Sequence, residues 1–366
     1  MKKSLLIYTI FCMSFTTVFA QLPPAAQALY DSAFVQDSLI VKYAINNGAQ
    51  IIATPDGNSF YIKWFPTGST PSATPVIVTL HGSSGFAFHE FYTWHSQAQL
   101  HGCGIIALQW YRPNQNSPND YFPDETLYSY IDSALTDISY PSGKAFLHGF
   151  SRGSARSYAL VFNDIQSGNN YFCTVMSNSG GATPTYPLYA QIDSGLYGNN
   201  VFLGKHWNLF CGGQDPDSLT SGCIGMTYTQ AWLQGQGAIV DIFIQDPNLG
   251  HNGFVIQPSF AYRDSILDNY LLCYNGTLSV GKELSKTNIT IFPNPFSTQT
   301  ILKTNGIFKN ASLTVYNSFG QQVKQINNIK GETVTLHRDN LPGGLYFFRL
   351  IQDNKTISTN KLIITD

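Results

Sequence analysis

The chain has 366 residues, 43% of them apolar, which suffices for an enzyme-sized domain with a real core plus a smaller unit, and excludes a disordered chain. Only 11% of residues are charged and the formal net charge is -2. That excludes the basic footprint of a nucleic-acid binder and a polybasic patch for an anionic membrane.

In chain order, the first element is a leader. Lys2 and Lys3 precede an apolar run from Leu5 to Phe15, and Val18-Phe-Ala20 stands just before Gln21. This is the pattern of a secretory signal peptide over residues 1–20, removed on export. No later segment is apolar enough to span a bilayer, so no integral membrane segment is expected. Cys12 leaves with the leader and five cysteines remain in a chain bound for an oxidising compartment. Cys211 and Cys223 are close enough in sequence to close a small loop. The pairing of Cys103, Cys173 and Cys273 stays open, and no spacing resembles a zinc site.

Residues 21–275 read as one domain. Leu39 to Ile45 and Ser59 to Phe65 alternate in period two and predict an antiparallel hairpin at a sheet edge. Short apolar runs then alternate with longer mixed stretches: Val76 to Leu80, Ile105 to Gln109, Ala145 to His148, Thr174 to Ser177, Asn208 to Cys211 and Val240 to Ile244. Each is bounded by Gly, Ser, Asn or Pro. The pattern predicts an α/β fold, a mostly parallel sheet with crossover helices and strands buried on both faces. Residues 276–288 are a polar linker. From 289 to 366 only short alternating strands follow, among them Leu313 to Tyr316, Thr333 to Leu336 and Gly344 to Leu350, which predict a small all-β sandwich.

Four places carry candidate chemistry. A serine hydroxyl is a nucleophile only when a base takes its proton, an acid orients the base and donors hold the oxyanion. Gly149-Phe-Ser-Arg-Gly153 follows a predicted strand and opens a predicted helix over Ser154 to Asn163, which makes Ser151 the candidate nucleophile. His81-Gly-Ser-Ser-Gly85 follows the strand Val76 to Leu80. One oxyanion N–H is expected there, from Ser83 or its neighbour Ser84, and the other from Arg152. Asp215 follows a strand and two glycines and is the candidate acid, with Asp246 and Asp217 as competitors. His251, in Gly250-His-Asn-Gly253 after the last strand, is the candidate base. Phe86, Trp110 and Tyr111, within a wider aromatic set that includes Phe88, Phe91, Tyr92 and Trp94, are candidate substrate contacts; their competing role is core packing. No metal or organic cofactor is called for.

The ordered set His81-Gly-Ser-Ser-Gly85, Gly149-Phe-Ser-Arg-Gly153, Gly212-Gly-Gln-Asp215 and Gly250-His-Asn-Gly253 resembles the α/β-hydrolase superfamily over about residues 35 to 272. Within it the chain is similar to secreted esterases of the feruloyl-esterase and polyester-depolymerase kind, with prolyl-oligopeptidase-type peptidases as the runner-up. The resemblance implies acyl transfer on a small-molecule or polymer-linked ester. A serine peptidase and a non-catalytic, surface-displayed binding protein are the alternatives. Arg152 stands where many lipases carry an apolar residue. Residues 289–366 resemble the sorting domain of the type IX secretion system of Bacteroidota, through Ile291-Phe-Pro-Asn-Pro295, Val315-Tyr-Asn317 with Gly320, Leu341-Pro-Gly-Gly-Leu-Tyr346 and Lys361-Leu-Ile-Ile364. That implies the type IX machinery as partner, and passage through the periplasm to the extracellular space or cell surface.

Overall fold

A computed structural model describes residues 22–276, apart from 114, 118, 184–185, 218 and 256–259, and residues 289–365, apart from 318–321 and 353–354. The expected signal peptide, nearly all of the expected linker and Gly320 lie outside the described residues. The first unit opens with helices α1 (Pro24–Gln36) and α2 (Ser38–Asn46) and the strands β1 (Gln50–Ala53) and β2 (Phe60–Trp64). It continues as β3 (Val76–Leu80), α3 (Ala87–His101), β4 (Gly104–Leu108), α4 (Asp124–Asp137), β5 (Ala145–Phe150) and α5 (Arg152–Ser167). β6 (Phe172–Asn178), α6 (Pro187–Asp193), β7 (His206–Gly212), α7 (Cys223–Gly235), β8 (Ile239–Asp246) and α8 (Phe260–Tyr274) complete it.

The eight strands form one sheet in the order β1-β2-β4-β3-β5-β6-β7-β8. Only β2 runs against the rest, pairing antiparallel with β1 on one side and β4 on the other; β3 through β8 pair in parallel. This is the α/β-hydrolase arrangement. Every residue of β3 and β4 is buried, as their unbroken Val, Ile and Leu runs require with helices on both faces. β8 is the exception to burial on both faces. It ends the sheet and is half-buried along most of its length.

The expected strand over Leu39 to Ile45 is instead α2. Its hydrophobic residues satisfy two periods at once, and the Asp37 carboxylate decides between them by accepting the N–H groups of Leu39 and Ile40, both at 3.1 Å, as an N-cap. Val41 and Ala44 then face the core, while Leu39 is left exposed. The hairpin exists one element later, as β1 with β2.

The second unit is all-β, as expected: β9 (Thr290–Phe292), β10 (Gln299–Asn317), β11 (Gln322–His337), β12 (Gly344–Gln352) and β13 (Lys355–Ile364). They form one antiparallel hydrogen-bonded network in which the long β10 pairs with β9, β11 and β12. β10 and β11 shift register between Lys303 and Phe308, and again further along. Such irregularities bend a strand. Leu302 and Leu336 from one half of the pair share a buried cluster with Leu313 and Val315 from the other half and with Phe348 of β12. Among the described residues, no helix of the chain is long and apolar enough to cross a membrane.

At the N-terminal ends of the central strands, α8 is fastened by the buried Tyr270. Its hydroxyl accepts the Val76 N–H at 2.7 Å and donates to the Lys144 carbonyl at 2.8 Å. Tyr270→Phe leaves a buried backbone donor unpaired, which predicts a loss of about 1–3 kcal/mol in denaturant unfolding. Hydrolytic turnover should be unchanged, because Tyr270 sits at the end of the sheet away from Ser151.

Candidate active site

Ser151 lies between the last residue of β5 and the first of α5, with φ 53° and ψ -117°. A non-glycine residue at positive φ is strained and persists only where its surroundings impose it. They do so here through very close backbone packing. A Cβ on Gly149 would stand 2.3 Å from the Gly153 carbonyl oxygen, and one on Gly153 would stand 2.5 Å from that of Leu80. The Ser151 N–H is held by the Asn178 carbonyl of β6 at 2.8 Å. The hydroxyl is thereby lifted clear at the top of the sheet, as the sequence spacing predicts.

The acid and the base arrive on two interlocked loops. A Cβ on Gly212 would meet the backbone of Leu249 and Gly250 at 2.3 Å, and one on Gly213 would meet Pro247 at 2.7 Å. The Gln214 N–H donates to the Leu249 carbonyl at 2.9 Å. Held this way, His251 Nε2 lies 2.8 Å from Ser151 Oγ and Nδ1 lies 2.6 Å from Asp215 Oδ2. The Asp215 carboxylate only accepts, so the proton sits on Nδ1 and Nε2 is left to take that of the serine. The other Asp215 oxygen accepts the Asp217 N–H at 3.0 Å. The Asp215 side chain is 1% exposed and that of His251 is 31% exposed, so the acid is sealed and the base faces the cleft.

The two competing acids are otherwise engaged. Asp246 accepts from Asn248 N–H at 2.9 Å and Tyr262 hydroxyl at 2.6 Å. Asp217 takes the hydroxyl and the N–H of Thr220; the Thr220 hydroxyl is the chief cause that holds its carboxyl below the usual range. The disulfide Cys211–Cys223 ties the end of β7 to the start of α7 and so encloses the loop that bears Asp215.

In the loop expected to supply the oxyanion donors, the neighbouring serines are placed differently. Ser84, at φ 56°, gives its N–H to the Tyr121 hydroxyl at 2.7 Å. Ser83 faces the cleft beside Ser151 and Arg152. Arg152 opens α5, where first-turn N–H groups have no helical partner. Its guanidinium lies 4.1 Å from the centre of the Tyr121 ring and 3.9 Å from Asp120.

A cleft of about 520 Å³ opens over these groups. Its further walls are Ser179, Gly180, Gly181, Thr183 and Tyr186 after β6, and Pro216, Asp217, Thr220 and Ser221 after β7. None of the expected contacts Phe86, Trp110 and Tyr111 lines it. Phe86 and Trp110 are buried and Tyr111 packs edge-on against Phe86, so these aromatics build the floor of the domain. Trp110 instead positions the oxyanion loop, stacking on His81 at 5.5 Å and donating its indole N–H to the His81 carbonyl at 3.1 Å. The β6 loop was missed as a wall although a signal existed: Ser179-Gly-Gly181 follows a predicted parallel strand, and ligands bind at the carboxyl ends of such strands.

The C-terminal unit can now be compared with known proteins. Residues 290–365 match the family model of the secretion system C-terminal sorting domain. The chain is addressed for secretion. Its destination is the extracellular space or the cell surface, by the type IX route. No curated protein matches the chain. Among solved structures, an esterase of the fungus Rhizomucor miehei is 13% identical, with a TM-score of 0.48 over 69% of this chain and 91% of that one. An esterase of the archaeon Pyrobaculum calidifontis is 14% identical, with a TM-score of 0.45 over 71% and 95%. A bacterial brefeldin A esterase is also 14% identical, with a TM-score of 0.44 over 70% and 86%.

His81 supports the oxyanion loop in its neutral form. Nδ1 donates to the Gly82 carbonyl at 2.9 Å and Nε2 accepts the Trp110 N–H at 3.3 Å. A proton on Nε2 would face that N–H. Burial lowers its pKa to about 4 from 6.5, against the Gly82 hydrogen bond, which favours the charged ring. The unfolded chain therefore takes up a proton near 6.5 that the native chain refuses until about 4. This contribution to stability is complete above 6.5 and is lost as pH falls through that interval. Unfolding in denaturant between about pH 7 and pH 4.5 should show the wild type losing roughly 1–3 kcal/mol more than His81→Asn. Identical pH profiles would remove this role.

Proposed function

We propose that the N-terminal domain is a secreted serine hydrolase that cleaves carboxylic esters through an acyl-enzyme. The observation that carries this reading is the unbroken relay Asp215–His251–Ser151, at 2.6 Å and 2.8 Å, opening on a cleft that also holds Ser83 and Arg152. The three residues follow in the chain order Ser, Asp, His, the order of this fold.

In the proposed reaction His251 Nε2 takes the Ser151 proton as Oγ attacks the ester carbonyl. The N–H groups of Ser83 and Arg152 hold the tetrahedral oxyanion, assisted by the N-terminal dipole of α5. Asp215 stabilises the imidazolium and keeps its tautomer. His251 then protonates the departing alcohol. A water molecule, deprotonated by the same nitrogen, releases the acid and frees Ser151. The ester preference over an amide follows from the resemblance of the ordered motifs to secreted esterases. The hydroxyl-rich walls, with Tyr186 as their aromatic member, favour a short acyl group on a polar, sugar-like alcohol over a long lipid chain. Phenolic recognition by Phe86 or Trp110 is dropped, since both are buried.

Steady-state kinetics on p-nitrophenyl esters of increasing acyl length, beside aminoacyl-proline amides, test the reading. Short esters should be turned over fastest, and Ser151→Ala should lower kcat/KM by about 10⁴-fold or more. Amide turnover that outpaces ester turnover would replace the esterase by a peptidase. Full activity in Ser151→Ala would remove the nucleophile.

A further inference from the structure

Among the described residues, the three cysteines outside the Cys211–Cys223 bridge, Cys103, Cys173 and Cys273, all lie near the N-terminal end of the sheet, far along the chain from one another. Cys173 is the second residue of β6, at an irregularity in its pairing with β5. Ala145 pairs with Phe172 and Phe146 with Thr174, so Cys173 is the extra residue of a bulge. A regular strand would send Cys173 and Thr174 to opposite faces; a bulge re-aims the extra side chain. Thr174 faces α8, because the Asn208 amide of the neighbouring β7 donates both to Thr174 Oγ1 and to Asn269 Oδ1 of α8, each at 3.2 Å. Cys273 stands one helical turn beyond Asn269, on the same face of α8. The end of this helix is drawn onto the same place by Lys144, whose ammonium donates to the Tyr274 carbonyl and whose backbone N–H bonds the Tyr171 carbonyl at 2.9 Å. The bulge and the helix end thus bring Cys173 and Cys273 to one place at the end of the sheet, where each thiol is a near neighbour of the other.

We propose that Cys173 and Cys273 form a second disulfide in the secreted protein, joining β6 to the end of α8. Both stand as free thiols in the structure and are half-buried, whereas Cys103 is fully buried. The bond forms by exchange: a thiolate of one cysteine attacks the disulfide of an oxidised thiol–disulfide carrier, and the thiolate of the other displaces that carrier. The protein's two thiols give up two protons and two electrons, and the carrier's disulfide is reduced to two thiols. Burial pushes the Cys173 thiol well up, outweighing Lys144 and Lys205, which pull it down. The Cys173 thiol is therefore a poor nucleophile once packed, and exchange belongs to folding, when it is still exposed. The loop so closed contains both Asp215 and His251. The bond would thus hold the last helix before the linker on the sheet that presents the site.

The test is disulfide mapping on the full chain without its leader, refolded from the reduced, denatured state in a mixture of oxidised and reduced glutathione until Cys211–Cys223 is completely linked. The protein is then denatured, alkylated without reduction, digested and read by mass spectrometry. The expected result is a peptide pair joined through Cys173 and Cys273, with Cys103 as the single alkylated cysteine. Alkylation of Cys103, Cys173 and Cys273 together, beside an intact Cys211–Cys223 link, overturns the proposal. So does a pairing of Cys103 with either of the other two. Cys273→Ser, treated identically, should add Cys173 to the alkylated set; if that variant fails to fold, the wild-type map still decides.

Discussion

Ser151 can stand at φ 53° above the sheet only because three pieces of backbone meet beneath it with no side chain between them. Gly149 and Gly153 lie against each other where strand meets helix, and a Cβ on Gly180, from the β6 loop, would fall 2.0 Å from the Ser151 carbonyl oxygen. This crowding fixes the hydroxyl in space, and the rest of the site is arranged around that point. The oxyanion loop abuts Gly153 through the Leu80 carbonyl, and the β6 loop that supports Ser151 is also a wall of the cleft. The same device recurs where Gly212 and Gly213 press against the His251 loop, so that acid and base share one rigid seam. Strain at the nucleophile is thus sustained by interlocked backbone rather than by flexible side-chain contacts.

How much of this was legible in the sequence depends on whether local pattern or tertiary choice decides each element. The parallel strands inside the sheet were legible because burial on both faces leaves a short, largely apolar run with turn residues at each end, and the edge strand β8 carries the same kind of run although it is only half-buried. That Ser151, Asp215 and His251 would meet was legible because each follows such a strand at its carboxyl end. The first hairpin was misread because Leu39 to Ile45 fits a strand period as well as a helical one, and a single Asp37 cap outside the run settles it. Asp215 stood out from Asp246 only once hydrogen bonds were visible: Asp246 is consumed by Tyr262 and Asn248. Ser83 separates from Ser84 through Tyr121, a residue 37 positions away that no local motif announces. The aromatic residues after β3 and β4 were misassigned because sequence shows their abundance but not their burial.

The two units divide the work of the proposed exported hydrolase. The first carries the whole of the proposed chemistry, and the second carries the address. Export also bears on the cysteines. A chain that passes through an oxidising compartment meets its oxidant while it folds, and the bridge around the Asp215 loop shows one use of that chemistry close to the site.

The central claim is that Ser151, and no other hydroxyl, is the activated nucleophile. It is tested most directly by reacting the native chain with a fluorophosphonate and locating the adduct by peptide mass mapping. One phosphonyl group per chain, on the peptide containing Ser151, with labelling abolished in Ser151→Ala and strongly slowed in His251→Ala, is the predicted result. An unlabelled wild type, or an adduct that maps elsewhere and persists in Ser151→Ala, would contradict the account.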